Sequence, residues 1–267
     1  MKKTILITGS TDGIGLETAR RLAAEGHHLL LHGRNPAKLE ETQETLSAIS
    51  GSEEIETFRA DFSRLAEVGE LAEAITEKHE RIDVLINNAG VLKTPNPIAE
   101  NGLDMRFVVN TIAPWLLTRR LLPIIPDSGR IVNLSSAAQD RVDLAAMRGE
   151  RKLDDMSAYS QSKLAITMWT RVLAKELGMN GPVVVAVNPG SLLASKMVKE
   201  GFGMAGKDLG IGADILRRAA LSDEFMNASG QYFDNDAQRF ADPHPDALDD
   251  ERCAEVVREI ESLVALL

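Results

Sequence analysis

Thr4-Ile-Leu-Ile-Thr8 runs directly into Gly9-Ser10-Thr11-Asp12-Gly13-Ile14-Gly15, and a helical pattern begins inside that run. Glycines let a backbone turn tightly and approach a pyrophosphate, whose charge then rests against the free N–H groups of a helix start. A plain glycine turn would use the same residues. Here, however, the loop lies between a strand and a helix, and a second apolar strand follows at the required distance. The stretch is therefore read as a nucleotide-binding loop. Its spacing is Gly-x-x-x-Gly-x-Gly, not the Gly-x-Gly-x-x-Gly of most dinucleotide folds.

Working outward, short apolar runs alternate with helical patterns. Strands are expected at 4–8, 28–32, 56–60, 82–86, 130–134 and 183–187, with a last one at Gly230-Gln-Tyr-Phe233. Helices are expected at 13–25, 36–49, about 64–79, about 100–120, 157–179 and 248–266. Fully apolar strands separated by helices are the pattern of a parallel sheet covered on both faces. No linker or repeat divides the chain. The expectation is α/β: one doubly wound Rossmann-type domain over 1–267, with about seven parallel strands.

The 267 residues contain 44% hydrophobic and 26% charged side chains, ordinary for a globular protein. A net charge of −10 argues against nucleic acid or an anionic membrane as the main partner. The lone Cys253 excludes an internal disulfide. The opening Met1-Lys-Lys resembles a secretion signal for only a few residues before Gly9, and no window suits a membrane span. A cytoplasmic location is expected.

Tyr159 and Lys163 stand four apart on the helix at 157–179, so both project from one face. A phenol titrates near 10 and is a poor acid or base at neutral pH unless a positive charge lowers that value. One ammonium about 4–5 Å away, at an effective dielectric of about 20, supplies roughly 3–4 kcal/mol. Taken alone the pair is weak support, because Tyr-x-x-x-Lys occurs in many helices.

Together, the glycine loop, Asn87-Asn88-Ala89-Gly90 and Tyr159-Ser-Gln-Ser-Lys163 resemble the short-chain dehydrogenase/reductase family over about residues 3–192. Asp61, Asn110, Val132-Asn-Leu-Ser-Ser136 and Asn188-Pro189-Gly190 extend the match in the family's order. By that resemblance, Tyr159 is the general acid or base and Lys163 lowers its pKa while holding the nicotinamide ribose. Ser136 bonds the reacting oxygen, with neighbouring Ser135 the residue most readily confused with it, and Asn110 holds a water on a proton path. The resemblance also implies a cofactor site of Gly9, Ser10, Thr11, Asp12, Gly13, Ile14, Gly15, Asp61, Phe62, Asn87, Ala89, Gly90, Pro189, Gly190 and Leu192, with Tyr159 and Lys163. Asp61 and Phe62 are expected against adenine, and Asn87, Ala89 and Gly90 beside the adenosine ribose.

The second strand ends His32-Gly33-Arg34-Asn35 with no carboxylate. An acidic residue there selects NAD, whereas arginine accommodates the 2′-phosphate of NADP. Gly33, Arg34 and Asn35 are therefore assigned to cofactor binding, and NADP(H) is favoured over NAD(H). Asp12 departs from the basic residue that many NADP-preferring members carry there, and fits an N-cap.

Between Ser136 and Tyr159, residues 137–156 form a long, charged insertion, similar to that of the retinol-dehydrogenase-like and light-independent carbonyl-reductase branches. It is read as a solvated, partly helical segment or as a wall of the substrate entrance. Residues 191–222, with Gly201, Gly203, Gly206, Gly210 and Gly212, are expected to form a substrate-side lid. Leu192 and Ser195 are placed near the nicotinamide, and Leu193, Met197, Phe202 and Met204 hint at an apolar acceptor site. Asp234-Asn-Asp236 fits a cation or a solvated loop. The histidines (27, 28, 32, 79, 244) show no metal spacing, and no metal is expected.

The expected activity is hydride transfer between NADP(H) and a carbonyl or secondary alcohol of a small, apolar molecule. Enone reduction or epimerisation on the same scaffold, and a nucleotide-sensing regulator without turnover, are the competing readings. A homo-oligomer through the helices at 100–120 and 157–179 fits the resemblance, with the insertion as an obstacle.

Overall fold

The computed structural model describes residues 2–49, 54–194, 197, 199, 203 and 205–266. Ser195, Gly201, Phe202 and Met204 lie outside the described residues.

Among the described residues, eight strands form one sheet in the order β3-β2-β1-β4-β5-β6-β7-β8. They are β1 (Thr4–Ile7), β2 (His28–Gly33), β3 (Ile55–Arg59), β4 (Val84–Asn87), β5 (Arg130–Leu134), β6 (Val183–Asn188), β7 (Tyr232–Asp234) and β8 (Arg239–Ala241). All neighbours run parallel except β8, which folds back antiparallel on β7. The expected seven strands are thus joined by an eighth, a three-residue edge strand. Strand order reverses at β1, between β2 and β4, and ligands in such sheets bind at that point, beyond the carboxyl ends of the strands.

Alternation explains the apolar strands. Leu6, Leu30, Leu85, Ile131 and Val184 enter one buried cluster, and Ile5, Ile7, Leu29, Leu31, Val84, Ile86, Val132 and Val185 enter the other. Both faces are covered, so most strand positions are apolar, and buried polar residues such as Asn87 and Asn133 are hydrogen-bonded to each other. The first face carries α3 (Leu65–Lys78), α4 (105–121), α6 (Asp155–Leu177) and α8 (Asp250–Val264). The second carries α1 (Gly13–Ala24), α2 (Pro36–Ser47) and α7 (Leu209–Leu221).

Helix α4 is composite: Met105–Phe107, a π-helical stretch Val108–Ile112, then Ala113–Leu121. Pro114 has no N–H to offer the carbonyl of Asn110, and its ring would crowd that carbonyl. The helix widens instead, and Ala113 N donates to Val108 O.

One expectation changes, and one open alternative is decided. Residues 209–221 are not lid but helix α7, with Ala213, Ile215, Leu216 and Ala219 in the core. Gly210 and Gly212 serve close packing there: a Cβ would lie 2.6 Å from Arg21 Nη2 and from Leu193 Cδ1 respectively. The insertion is the solvated, partly helical segment of its first reading and does not line the cleft described below. It holds helix α5 (Leu144–Met147), buries Ala146 and Met147, and joins α8 through Arg148 Nη1, 3.0 Å from Glu259 Oε2. Among the described residues no helix is long and apolar enough to cross a membrane.

Candidate active site

A cleft of about 390 Å³ opens at the carboxyl ends of the strands. Gly9, Thr11, Asp12, Gly13 and Ile14 line one end, then Gly33, Arg34, Asp61 and Phe62, and Tyr159, Lys163, Ser135, Pro189 and Met197 the other.

Backbone geometry demands the glycines. Gly9 and Gly13 have φ of +66° and +56°, in the left-handed region. At Gly15 a Cβ would lie 2.2 Å from Gly9 O, so only glycine lets helix and loop close on each other. Asp12 is the N-cap, accepting from Gly13 N at 2.8 Å. The N–H groups of Ile14 and Gly15 have no partner among the described residues, which leaves an anion-ready helix start.

The loop is anchored by a residue that sequence reading passed over. His32 Nδ1 accepts from Gly9 N at 3.2 Å, and its Nε2 lies 3.1 Å from Ala60 O. Nδ1 must be the bare nitrogen, so the ring is neutral with its proton on Nε2. It stacks on Phe62 at 4.3 Å between centroids, and burial pushes its pKa down to about 4. Ser10 turns inward: its N and Oγ both donate to His32 O, at 3.0 and 3.2 Å. Phe62 is likewise buried against His32.

Arg34 is exposed at the end of β2, with no ion-pair partner among the described residues. A Cβ at Gly33 would meet Thr11 Cγ2 at 2.8 Å, so the floor beside Arg34 is closed to a larger residue. Asn35 caps α2, accepting from Lys38 N at 3.2 Å. The Lys38 ammonium, not singled out from sequence, stands 3.5 Å from Asp12 Oδ2. Asp61 Oδ1 accepts from Ser63 N and Oγ and so shapes the turn after β3.

Asn87 is corrected. As the last residue of β4 it points into the core, where Nδ2 donates to Thr118 Oγ1 (3.0 Å) and Asn133 Oδ1 (2.8 Å). Asn88, one residue on and on the opposite side, lines the cleft. Its Nδ2 donates to Thr8 O (2.8 Å) and Gly9 O (3.0 Å), tying the glycine loop to the end of β4. Ala89 and Gly90 follow in the cleft wall.

At the other end the Ser136 side chain lies beside the Tyr159 hydroxyl, and Ser136 Oγ accepts from Ala138 N at 3.1 Å. Burial pushes the phenol above its ordinary value, while the neighbouring Ser136 hydroxyl acts the other way. Burial outweighs that influence, and Lys163 adds no lowering of its own at this position. The Lys163 ammonium stands 5.7 Å from the Tyr159 ring centroid and donates to Leu134 O at 2.7 Å; burial lowers it to about 8. Ser135 is distinguished from Ser136 by its bonds to Thr167 Oγ1 (2.6 Å) and Lys163 O (3.1 Å), which use its hydroxyl in the framework. The Ser136 carbonyl accepts from Tyr232 OH (3.1 Å) and Gln139 Nε2 (2.9 Å), two positioning contacts that the sequence did not announce.

The Asn110 side chain clamps the strand β4 exit, accepting from Val91 N (2.8 Å) and donating to Val91 O (2.9 Å) and Ser162 Oγ (3.0 Å). Both of its Nδ2 hydrogens are used in these bonds. A Cβ at Gly90 would lie 3.3 Å from Asn110 Oδ1 and 3.6 Å from Lys163 Nζ, which shows how closely these groups meet.

Beyond β6, Gly190 has φ of +120° and Leu192 is held at +57°, unusual for a side-chain-bearing residue. Lys207 N donates to Leu192 O, and Ala194 N to Lys207 O, each at 2.7 Å. Leu193 is buried. Asp236 accepts from Ser191 N and, like Asp234, from Asn188 Nδ2, so the acidic pair is already spent on fixing this loop.

Comparison with known proteins agrees. The profile of the short chain dehydrogenase family matches residues 3–207. Retinol dehydrogenase 13 of Homo sapiens is 33% identical over 283 residues, covering 99% of this chain and 85% of the human protein. A crystal structure of a protein from Mycobacterium Paratuberculosis has a TM-score of 0.81 at 27% identity, covering 98% of this chain and 92% of that one. A Shigella flexneri short chain dehydrogenase complexed with NADP has a TM-score of 0.69 at 27% identity, covering 88% of this chain and 97% of that one. This chain, an oxidoreductase, belongs to the short chain dehydrogenase family.

Proposed function

We propose that the protein transfers a hydride between NADP(H) and a carbonyl or secondary alcohol of a small apolar substrate, with Tyr159 as the proton donor or acceptor. The observation that carries this reading is Tyr159, with the Ser136 side chain next to it, and Lys163 in the same cleft as an anion-ready glycine loop. The residues fit the cofactor: unpartnered N–H groups at Ile14 and Gly15 suit a pyrophosphate, and exposed Arg34 beside Gly33 suits a 2′-phosphate. Gly9, Thr11, Asp12, Gly13, Asp61, Asn88, Ala89, Gly90 and Pro189 would line its path. When bound, the nicotinamide supplies or accepts the hydride.

The protein's own part is orientation and the proton. Burial keeps the Tyr159 phenol protonated at neutral pH, the state required to donate to a carbonyl oxygen during reduction. The Ser136 hydroxyl holds that oxygen against the phenol, and its own main chain is fixed by Tyr232 and Gln139. Proton return would pass by the main-chain carbonyl of Asn110, which Pro114 deprives of its ordinary helical donor. Val91, Leu92, Met105, Val109 and Met197 give the substrate end apolar walls.

The test is loss of NADPH absorbance with a panel of ketones, aldehydes and enones, with Tyr159→Phe as control. Turnover of a carbonyl compound that is abolished in the variant supports the reading. Turnover of enones alone, or NADPH binding with no turnover across the panel, overturns it.

A further inference from the structure

At the opposite end of the sheet, three side chains far apart in sequence meet. His28 opens β2, Glu56 lies on β3, and His79 is the C-cap of α3. One ligand atom from each falls within 4.8 Å of the others. Glu56 Oε1 is 2.9 Å from His28 Nε2 and 3.1 Å from His79 Nε2.

We propose that His28, Glu56 and His79 bind a divalent first-row transition ion of the Zn2+ type. Two imidazoles and one carboxylate are a donor set such ions favour. An ion about 2.0–2.1 Å from each atom leaves adjacent ligand atoms roughly 3–3.4 Å apart, close to the spacing found. His79 Nε2 is buried and makes no hydrogen bond despite its closeness to Glu56, so the nitrogen has a neighbour but no partner. On the far side of the other ring, His28 Nδ1 lies 3.5 Å from Glu54 Oε2. Without an ion, His28 Nε2 is hydrogen-bonded to Glu56 Oε1 at 2.9 Å; an ion would take the place of that proton, and Glu54 would then hold the proton on Nδ1, the arrangement that orients a metal-bound histidine.

Charge and access agree. The His28 and His79 side chains keep 12% and 13% of their exposure and Glu56 keeps 34%, so the site is open on one side for entry and for water to complete the coordination. The opposing group is Lys78, whose ammonium is 4.0 Å from Glu56 Oε2, but its side chain is 61% exposed and free to swing away. The site lies at the amino ends of β2 and β3, whereas the cleft lies at their carboxyl ends, about 16 Å along a strand of this length. The ion would tie edge strand β3 to β2 and α3 and take no part in turnover.

The experiment uses the full chain, stripped with chelator and titrated with ZnCl2 by calorimetry, with Co2+ absorption as a second probe. The expected result is one equivalent bound with micromolar affinity, a higher Tm on binding, and unchanged turnover. Glu56→Gln keeps an acceptor for His28 Nε2, so the fold is retained, yet Zn2+ affinity falls at least tenfold and the Co2+ bands weaken; His79→Ala behaves likewise. No stoichiometric binding, or equal affinity in the wild type and both variants, overturns the proposal.

Discussion

Arg34 offers the sharpest perturbation of the cofactor reading. It is exposed at the end of β2, and no carboxylate among the described residues competes for its guanidinium. A charge-assisted bond to phosphate contributes about 1.5–3 kcal/mol, and solvent exposure places this one toward the lower end, near 1.5–2 kcal/mol. Arg34→Ala should therefore raise the Kd for NADPH about 10- to 30-fold. NADH lacks the 2′-phosphate, so its Kd should move less than about twofold. Lys38 does not restore the loss, because Asp12 holds its ammonium at 3.5 Å. Fluorescence titration of both cofactors at low and high salt reads the effect, and the gap between wild type and variant should narrow as salt screens the contact. Equal shifts for NADPH and NADH, or an NADPH affinity left intact, would refute the reasoning.

Asp12→Asn keeps a good N-cap for α1 but releases Lys38, so NADPH should bind about two- to fivefold more tightly at low salt, with Tm nearly unchanged. His32 bears on pH stability: its pKa falls from 6.5 to about 4 on folding. Its contribution is complete above about pH 6.5 and is lost as pH falls toward 4, to a total of about 3 kcal/mol, of which about 2 is gone by pH 5. Denaturant titrations at pH 7.5 and pH 5 should show that much less pH dependence in His32→Asn, whose amide oxygen can replace Nδ1 at Gly9 N. Tyr232→Phe removes one of two donors from the Ser136 carbonyl and should lower kcat about 2- to 10-fold, leaving cofactor affinity alone; a kcat equal to wild type would remove Tyr232 from the positioning set.

What was legible in the sequence follows from what carries the signal. Strands buried on both faces leave unbroken apolar runs, so β1, β2, β5 and β6 lie within a residue or two of expectation. Edge strand β8, with exposed Arg239 and half-buried Phe240 and Ala241, leaves almost none. Helix α7 was mistaken for lid because Gly210 and Gly212 look like freedom, although each is set by a neighbour that a side chain would strike. The Asn87–Asn88 error is one residue of strand phase, which reverses the face and moves an amide from cleft to core. His32 and Lys38 were missed for different reasons. The first acts on a main-chain N–H, and the second depends on a contact with Asp12 across the loop; neither leaves a pattern in a single chain. His28, Glu56 and His79 come from three elements, and only the pairing of β2 with β3 makes them neighbours.

The central claim is that the Tyr159 hydroxyl moves the proton while other residues hold the cofactor. Single-turnover oxidation of bound NADPH by a carbonyl substrate, compared between wild type and Tyr159→Phe, tests it most directly. General acid catalysis contributes about 10²- to 10⁴-fold, so the variant's rate should fall by that factor with NADPH affinity unchanged. A variant that oxidises NADPH at the wild-type rate would contradict the account.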